Sequence, residues 1–317
     1  MSKKPLRIVF MGTPDFAVGI LTNLIANNFM IVGVITAPDK PAGRGKKLRV
    51  SAVKEYALSQ ELPVLQPKNL KNKDFLKELE SLKADLQIIV AFRMLPKVVW
   101  NMPPNGTFNL HASLLPAYRG AAPINWAIIN GEKETGVTTF FIDDKIDTGE
   151  ILLQEKIAIE QDDSVGTLHD KLMSLGAELV VKTVDLITSE NYTTKKQPEI
   201  APTNAPKLFK ETCQINWDAD AVSIYNKIRG LSPYPVAWSY FISNEETHTI
   251  KIYRSHIELT DHDNENGKLI SDKKSLKVAV KNGYIYLDEV QLSGKRKMEV
   301  KSLLNGYRFS LNAKMSW

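Results

Sequence analysis

Three polar side chains of this chain could carry out proton transfer and charge stabilisation together. Asn109 and His111 open the run NLHASLLPAYRGAAPI, and Asp147 follows in IDTGE. No motif for a metal, a nucleotide phosphate or a covalent nucleophile accompanies them. A carboxamide, an imidazole and a carboxylate suit acyl transfer to a neutral amine, whose attack puts negative charge on oxygen and positive charge on nitrogen.

Each side chain has a distinct possible role in such a transfer. Asn109 can donate its amide N–H to the oxygen, and His111 can stabilise that oxygen or carry the proton. Asp147 can orient the imidazole or hold a water that relays the proton. Taken singly, a histidine is usually a packed or surface residue and an aspartate in DDKIDTGE is ordinary turn chemistry. Only the three side chains together indicate a catalytic role.

The elements that must position these residues follow an alternating pattern. Residues 6–10, 30–36 and 85–91 are short apolar, β-branched runs separated by stretches with helical periodicity. This alternation predicts an α/β fold with a Rossmann-like, mostly parallel sheet. Residues 108–110 end a further strand, which places Asn109 and His111 on one face. A helix begins near Pro123, and Ser164 can cap another.

Three parts are predicted along the chain. Residues 1–189 form the Rossmann-like catalytic domain, and residues 190–206 are a polar, Pro-rich linker without a helical or strand period. Residues 207–317 contain one short helix and brief β-like pieces, typical of a small OB-like β-barrel. The chain carries 41 Lys and Arg against 36 Asp and Glu, and 17 of the basic and 13 of the acidic residues lie beyond residue 206. A basic appendage suits a polyanionic partner.

Several function classes are disfavoured. The first strand-to-helix turn, FMGTPDF, has only Gly12 where a dinucleotide site needs GxGxxG, which argues against a nicotinamide or flavin enzyme. The single cysteine and the lack of a Cys/His cluster exclude an intrachain disulfide framework and favour a metal-free protein in a reducing compartment, which we expect to be the cytoplasm. The N-terminus is neither a signal peptide nor a membrane span.

The segment APDKPAGRGKKLRV follows the second strand and concentrates positive charge. Its basic residues are Lys40, Arg44, Lys46, Lys47 and Arg49. Composition alone fits a solvated loop as well as a phosphate contact. The segment lies at the carboxyl end of a strand, where open α/β sheets bind ligands, which favours a ligand-binding role over a plain solvated loop.

NLHASLLP followed by IDTGE resembles the mark of the 10-formyltetrahydrofolate-dependent formyltransferases, Asn-x-His-x-Ser-Leu-Leu-Pro and then Asp-x-Gly. The resemblance implies that Asn109, His111 and Asp147 are catalytic and that 10-formyltetrahydrofolate is the formyl donor. The resemblance predicts the reaction but not the acceptor of the formyl group, because relatives formylate glycinamide ribonucleotide, amino-sugar nucleotides or methionyl-tRNA.

MGTPDFAV, APDKPAGRGKKL and LSPYPVAW resemble the branch that formylates initiator methionyl-tRNA for translation initiation, so the likeness covers both predicted domains. In that branch the basic loop inserts at the acceptor stem of the tRNA. The resemblance therefore implies that Arg44 contacts the first base pair and that Lys46 and Lys47 contact the tRNA backbone. A basic barrel face would add further tRNA contacts. Candidates on the barrel are Lys295, Arg296 and Lys297, for which a solvated hairpin tip is an equal alternative.

The predicted folate pocket departs from the family at AFRMLP, residues 91–96, which is one residue shorter than usual and carries Arg93. The backbone around Met94 and Leu95 is expected to meet the pterin. The remaining wall is assigned to Ser113, Leu114, Leu115, Pro116 and Asp143. Phe16 and Phe92 are apolar candidates for the methionyl pocket, because both follow strand ends.

Two alternatives remain open at this point. An amino-sugar nucleotide formyltransferase should need neither the basic loop nor the basic barrel. A non-catalytic RNA-binding relative should have lost the triad, which is intact here. The favoured hypothesis is formylation of the methionyl α-amine on initiator tRNA, by a chain that we expect to be a monomer.

Overall fold

The computed structural model describes residues 5–42, 47–198 and 203–317. The chain divides into two structural units, neither continuous in sequence. The first comprises Met1–Gly120, Thr135–Ile157 and His169–Asn204, and the second comprises Ala121–Glu134, Ala158–Leu168 and Ala205–Trp317. The domain boundaries expected at residues 189 and 206 stay a prediction.

Strands and helices alternate over most of the N-terminal two thirds. In chain order the elements are β1 (Arg7–Gly12), α1 (Asp15–Ala26), β2 (Met30–Ile35), β3 (Lys40–Ala42), β4 (Lys47–Arg49), α2 (Ala52–Ser59), β5 (Val64–Leu65), α3 (Lys73–Ser81), β6 (Leu86–Val90), α4 (Lys97–Trp100), β7 (Thr107–His111), β8 (Arg119–Gly120), α5 (Pro123–Ile129), β9 (Glu134–Phe141), β10 (Ile151–Ala158) and α6 (Val165–Thr188).

The first unit is built on a seven-stranded sheet with the order β10-β9-β7-β6-β1-β2-β5. The five strands from β7 to β5 run parallel, and β9 pairs with β7 in the antiparallel sense. Every residue of β6 is buried, as expected for a strand covered on both faces. The predicted Rossmann-like, mostly parallel sheet is confirmed.

The carboxyl end of β1 lies at the point where the order in which strands are added to the sheet reverses. From β1 the chain adds β2 and β5 on one side and β6 and β7 on the other, and open α/β sheets bind ligands at such a point. Gly12 ends β1, and a Cβ there would lie 2.5 Å from Cβ of Ala17 and 3.0 Å from the Val90 carbonyl oxygen. The lone glycine of FMGTPDF therefore lets α1 pack close to the sheet.

Two helix starts agree with their sequence signals. α5 begins at Pro123, which has no N–H to leave unsatisfied in the first turn. Before α6, the Ser164 hydroxyl accepts a hydrogen bond from the Thr167 N–H at 3.2 Å. Leu168, Leu172 and Leu179 of α6 are buried, as their spacing predicts.

The remaining elements lie in the C-terminal part of the chain, and those that begin after residue 205 belong to the second unit. They are β11 (Asn204–Ala205), a 3₁₀ turn (Glu211–Cys213), α7 (Ala221–Leu231), β12 (Ala237–Ser243), β13 (Glu246–Leu259), β14 (Leu269–Ser271), β15 (Leu276–Val280), β16 (Gly283–Leu292), β17 (Met298–Glu299), α8 (Val300–Leu304) and β18 (Lys314–Ser316).

The main sheet of the second unit has the order β14-β15-β16-β13-β12-β18, and each pairing along this path is antiparallel. A bridge between Lys268 and Lys314 links its two ends, so the sheet is nearly closed. The core is apolar and includes the fully buried Trp217, Phe241 and Ile285. This arrangement confirms the predicted small OB-like barrel. None of the described helices combines the length and hydropathy that a membrane span requires.

Part of the segment predicted as a linker belongs to the first unit and is hydrogen-bonded to the start of β10. Lys195 and Ile151 exchange backbone hydrogen bonds of 2.8 and 2.9 Å, and the Thr194 hydroxyl donates to the Glu150 carboxylate. A single bridge of this kind leaves no periodic pattern of apolar residues, so the sequence could not indicate it.

Candidate functional site

β7 carries two of the three candidate catalytic residues. Asn109 lies opposite Phe140 of β9, and His111 lies opposite Thr138. Because side chains alternate along a strand, Asn109 and His111 share one face, as predicted. Asn109 is partly exposed, whereas His111 is only 7% exposed.

The hydrogen bonds of His111 define the roles of its two ring nitrogens. Nε2 lies 2.8 Å from the Tyr118 carbonyl oxygen, which can only accept, so Nε2 carries a proton and donates it. Nδ1 lies 3.8 Å from Oδ2 of Asp147. In the neutral ring Nδ1 therefore holds the lone pair, and an imidazolium formed by protonation there would be stabilised by the Asp147 carboxylate.

Asp147 is held in an unusual backbone conformation. Its φ is +55°, in the left-handed region, and its Oδ2 accepts a hydrogen bond of 3.0 Å from the Gly120 N–H. Tyr118, which accepts the bond from His111, also has a positive φ, of +60°. Such backbone angles cost free energy and persist where the surroundings enforce them, often at functional sites. The structure thus brings His111 and Asp147 together.

The carboxamide of Asn109 is available to a ligand. No hydrogen bond joins it to any residue within 5–42, 47–198 or 203–317. The group is partly exposed rather than buried, so water can satisfy it in the absence of substrate. Its N–H, unclaimed by the described residues, can therefore donate to a substrate oxygen.

The predicted folate wall at residues 113–116 is a tightly bonded loop. The Ser113 hydroxyl donates to the Ala117 carbonyl at 2.6 Å, and the Thr138 hydroxyl donates to the Ser113 carbonyl at 2.6 Å. Leu115 donates its N–H to the same Thr138 oxygen and is 4% exposed. Leu114 and Pro116 are partly buried. A wall fixed in this way loses little freedom when a ligand binds.

Asp143 caps the start of the loop that ends at Asp147. Its Oδ1 accepts hydrogen bonds from the Lys145 N–H at 2.9 Å and from the Thr148 hydroxyl at 2.8 Å. Asp143 also lines a cleft of about 410 Å³ with Gly149 and Gln197. The structure therefore places it in the Asp147 loop, where its carboxylate already shapes the turn.

Met94 and Leu95 line a second cleft, of about 480 Å³. Met94 is 67% exposed, whereas Leu95 is 7% exposed and belongs to the core. The Arg93 guanidinium donates to the Pro67 and Lys68 carbonyls, and burial lowers the pKa of Arg93. The unexpected arginine of AFRMLP thus ties the exit of β6 to residues 67 and 68.

The two phenylalanines assigned to a methionyl pocket lie in different surroundings. Phe92 lines a cleft of about 530 Å³ with Thr13, Ala37, Pro38, Asp39, Lys40, Lys68 and Arg93. Phe16 is 6% exposed, is not among the residues that line this cleft, and packs its ring edge-on against His169, with centroids 5.2 Å apart. Their role with the methionyl side chain stays a prediction.

The basic loop after β2 begins and ends as a short hairpin. β3 pairs with β4 in the antiparallel sense, with Lys40 opposite Arg49. The sequence indicated an irregular stretch, because its prolines and glycines obscure three-residue strands. Arg44 and Lys46 lie outside the described residues, and only the backbone of Lys47 is described.

The base of the hairpin is fixed by Asp39. Its carboxylate accepts hydrogen bonds from Lys54 Nζ at 2.5 Å and from Gln66 Nε2 at 2.8 Å. The bond from Gln66, followed by that from Lys54, lowers the pKa of the Asp39 carboxyl. This cluster anchors the chain one residue before β3, so the hairpin leaves the sheet from a defined position.

The three basic barrel candidates occupy the turn between β16 and β17. Lys295 and Arg296 are exposed, and Lys297 forms an ion pair of 2.8 Å with Glu289 and lies 4.6 Å from the Tyr253 ring centroid. Their location is the hairpin tip, not a strand face. Glu289 offsets part of the charge of Lys297.

Among the residues placed by the structure, no group of three or more His, Cys, Asp or Glu could hold a metal ion.

Comparison with known proteins identifies the family. Residues 6–184 match the model of formyl transferase, and residues 207–308 match that of the formyl transferase C-terminal domain. Methionyl-tRNA formyltransferase of Flavobacterium johnsoniae is 59% identical over 311 residues, covering 98% of this chain and 99% of the relative. The chain belongs to the methionyl-tRNA formyltransferase family. The enzyme of the same name from Bacteroides thetaiotaomicron is 52% identical over 322 residues, covering all of both chains.

A solved structure with the same fold contains a folate. HypX from Aquifex aeolicus in complex with tetrahydrofolic acid matches with a TM-score of 0.65 and 16% identity. The match covers 96% of this chain and 47% of HypX, so this chain spans about half of that protein. At this identity the likeness shows the fold alone. A folate-derived formyl donor follows from membership of the formyltransferase family.

Sequence reasoning missed several residues around His111 and Asp147. Tyr118 contributes a carbonyl to His111, and Gly120 contributes its N–H to Asp147. Gln197 donates to the Asp147 and Gly149 carbonyls. The first two act through backbone groups, which residue type does not reveal. Gln197 lies in the predicted linker, far along the chain from the motif.

Proposed function

We propose that this chain transfers the formyl group of 10-formyltetrahydrofolate to the α-amino group of methionyl-initiator tRNA, giving N-formylmethionyl-tRNA. One observation carries the proposal. His111 and Asp147 face each other, and the Asn109 carboxamide, unclaimed by the described residues, shares the strand face of His111, in a chain 59% identical to a methionyl-tRNA formyltransferase. All three side chains come from one chain, so a monomer suffices. The reaction would take place in the cytoplasm, where charged tRNA is used.

The residues around Met94 fit a folate donor. A folate has an apolar, hydrogen-bonding ring and an anionic glutamate tail. The cleft of about 480 Å³ combines Met94, Leu95 and Pro96 with the cations Lys68, Lys71 and Arg93. Apolar side chains with nearby cations suit the two ends of such a molecule. When bound, the donor supplies the formyl group that is transferred.

The proposed work of the catalytic residues is orientation, charge stabilisation and proton transfer. The Asn109 N–H donates to the oxygen on which negative charge develops. As the amine nitrogen bonds to the formyl carbon, His111 Nδ1 accepts the proton that the amine releases, because Nε2 is committed to Tyr118. Asp147 stabilises the imidazolium across 3.8 Å. The proton is then returned to N10 of the folate as the bond between N10 and the formyl carbon breaks. An α-amine has a reference pKa of roughly 8, so part of it is neutral near pH 7. Because the neutral amine can attack the formyl donor directly, the mechanism needs no acyl-enzyme.

The proposed choice of acceptor rests with the basic hairpin and the barrel. Arg44 and Lys46 lie in sequence between β3 and β4, and Lys47 is the first residue of β4. The hairpin follows β2, whose carboxyl end belongs to the edge where open α/β sheets bind ligands. Cations presented there would contact the phosphates of an acceptor stem. Lys295 and Arg296 would add contacts from the exposed barrel tip. An amino-sugar nucleotide would leave these cations without a polyanion to bind.

The acceptor can be determined by competition. The purified chain is given 10-formyltetrahydrofolate with equal concentrations of initiator methionyl-tRNA, elongator methionyl-tRNA and an amino-sugar nucleotide, and the products are resolved by mass. We expect initiator methionyl-tRNA to be formylated at least about a hundredfold faster than the other two, in the range that polar recognition can supply. Formylation of the sugar alone would overturn the proposal.

The basic hairpin can be tested through salt dependence. Arg44→Ala should raise KM for tRNA and reduce the slope of log affinity against log salt by about one, since one cation is lost from the interface with the tRNA. Turnover at saturating tRNA should stay within about twofold. Lys77→Ala removes one charge from the exposed face of α3 and serves as the matched control. An unchanged slope in Arg44→Ala would remove Arg44 from the interface.

A further inference from the structure

Three consecutive residues organise the candidate catalytic side chains. The carbonyl of Tyr118 accepts from His111 Nε2, and the N–H of Gly120 donates to Oδ2 of Asp147. Between them, Arg119 donates from Nε at 3.2 Å and from Nη2 at 2.5 Å to Oε1 of Gln197. The segment 118–120 therefore touches His111, Asp147 and Gln197 at once.

Gln197 completes the connection back to Asp147. Its Nε2 donates to the Asp147 carbonyl at 3.0 Å and to the Gly149 carbonyl at 2.8 Å. Carbonyls only accept and a guanidinium only donates, so one orientation of the amide satisfies all its partners. Each polar atom of the Gln197 side chain is thus committed to Arg119 or to the Asp147 loop.

The Asp147 loop needs such support. Asp147 has a φ of +55°, and its neighbours from Asp143 to Lys145 are largely exposed. A non-glycine residue in this region leaves it easily unless the surroundings hold it. The Gly120 bond holds the carboxylate, and the two bonds from Gln197 hold the backbone on either side of Thr148.

We propose that Gln197 and Arg119 are positioning residues for Asp147. Together they form a brace, Arg119–Gln197–Asp147, which keeps the Asp147 carboxylate facing His111 Nδ1. This role rests on the proposed function and adds to it, since the chain between the predicted domains helps build the site. Gln197 acts through Asp147 and does not touch the reacting atoms.

Kinetics separate positioning from a purely structural role. Gln197→Ala should lower kcat about tenfold, as expected for misplacement of a catalytic group, with KM for tRNA within about twofold. In an Asp147→Asn background the same substitution should lower kcat by less than about threefold, because residues that act as a unit are not additive. Gln60→Ala, on an exposed glutamine at the end of α2, is the matched control.

Gln197→Glu gives an independent check of the bond directions. The carboxylate cannot donate to the Asp147 and Gly149 carbonyls and adds a negative charge beside the loop, although it keeps the attraction to Arg119. Its kcat should fall at least as far as that of Gln197→Ala. An equal loss of kcat from Gln197→Ala in both backgrounds, or a loss below about threefold in the wild-type background, would overturn the brace.

Hydrogen exchange tests the brace without reference to activity. The Gly120 amide, which donates to Asp147, should exchange at least about tenfold faster in Gln197→Ala, while amides of β1 and β6 keep their wild-type rates. Unchanged exchange at Gly120 would overturn the proposal. If the wild-type chain formylates no methionyl-tRNA, the proposed function fails, and this measurement still decides whether Gln197 holds Asp147.

Discussion

Replacing Asn109 with alanine is expected to lower turnover by about a hundredfold to a thousandfold, the usual loss of one oxyanion donor. The reason is that its amide N–H is unclaimed by the described residues and lies on the same strand face as His111. The donor stabilises charge that develops only during the reaction, so substrate binding should change little. Single-turnover formylation of methionyl-tRNA, with tRNA binding measured in parallel, gives both quantities.

A matched asparagine controls for the loss of the amide group itself. Asn101→Ala alters an exposed residue that ends α4 and should keep turnover within about twofold. If Asn109→Ala retains turnover within about threefold of wild type, Asn109 is not the donor. If it weakens tRNA binding in proportion to turnover, its contribution is uniform binding, and the assigned role is wrong.

Replacing His111 with glutamine is expected to cost about a hundredfold to ten-thousandfold in turnover, the range of general acid–base catalysis. Glutamine can still donate to the Tyr118 carbonyl, but it cannot accept a proton at the position of Nδ1. The variant therefore separates the structural bond from the chemical role.

His256→Gln provides the corresponding control, because this histidine lies on the barrel with its side chain 61% exposed. Its turnover should stay within about twofold of wild type. If the turnover of His111→Gln stays within about threefold, His111 is not a catalytic residue.

The fold was largely predictable because its signals are local. β1, β2 and β6 are apolar runs of the length expected for buried strands, and the helices between them have one apolar face. The barrel could be anticipated from brief alternating pieces, since Leu276, Val278 and Val280 of β15 belong to the core at every second position. Each of these patterns reflects which residues are buried, and the order of apolar and polar residues along the chain shows this directly.

The support of the site could not be predicted for the opposite reason. Gln197 meets Asp147 across 50 residues of chain, and neither its type nor its neighbours mark this contact. The hairpin of β3 and β4 has only three residues in each strand. Phe16 and Phe92 both follow strand ends, but packing of α1 directs Phe16 against His169. Such outcomes depend on tertiary contacts, which local patterns do not encode.

The central claim is that the Asn109, His111 and Asp147 site moves a formyl group from a folate to the methionyl α-amine. The most direct measurement uses 10-formyltetrahydrofolate carrying ¹³C in its formyl group, with the purified chain, initiator methionyl-tRNA and a metal chelator. After the amino-acid ester is hydrolysed, mass spectrometry should find the label in N-formylmethionine with wild type and at least about a hundredfold more slowly with Asn109→Ala. Label that reaches only free formate, or equal labelling of N-formylmethionine by both proteins, would contradict this account.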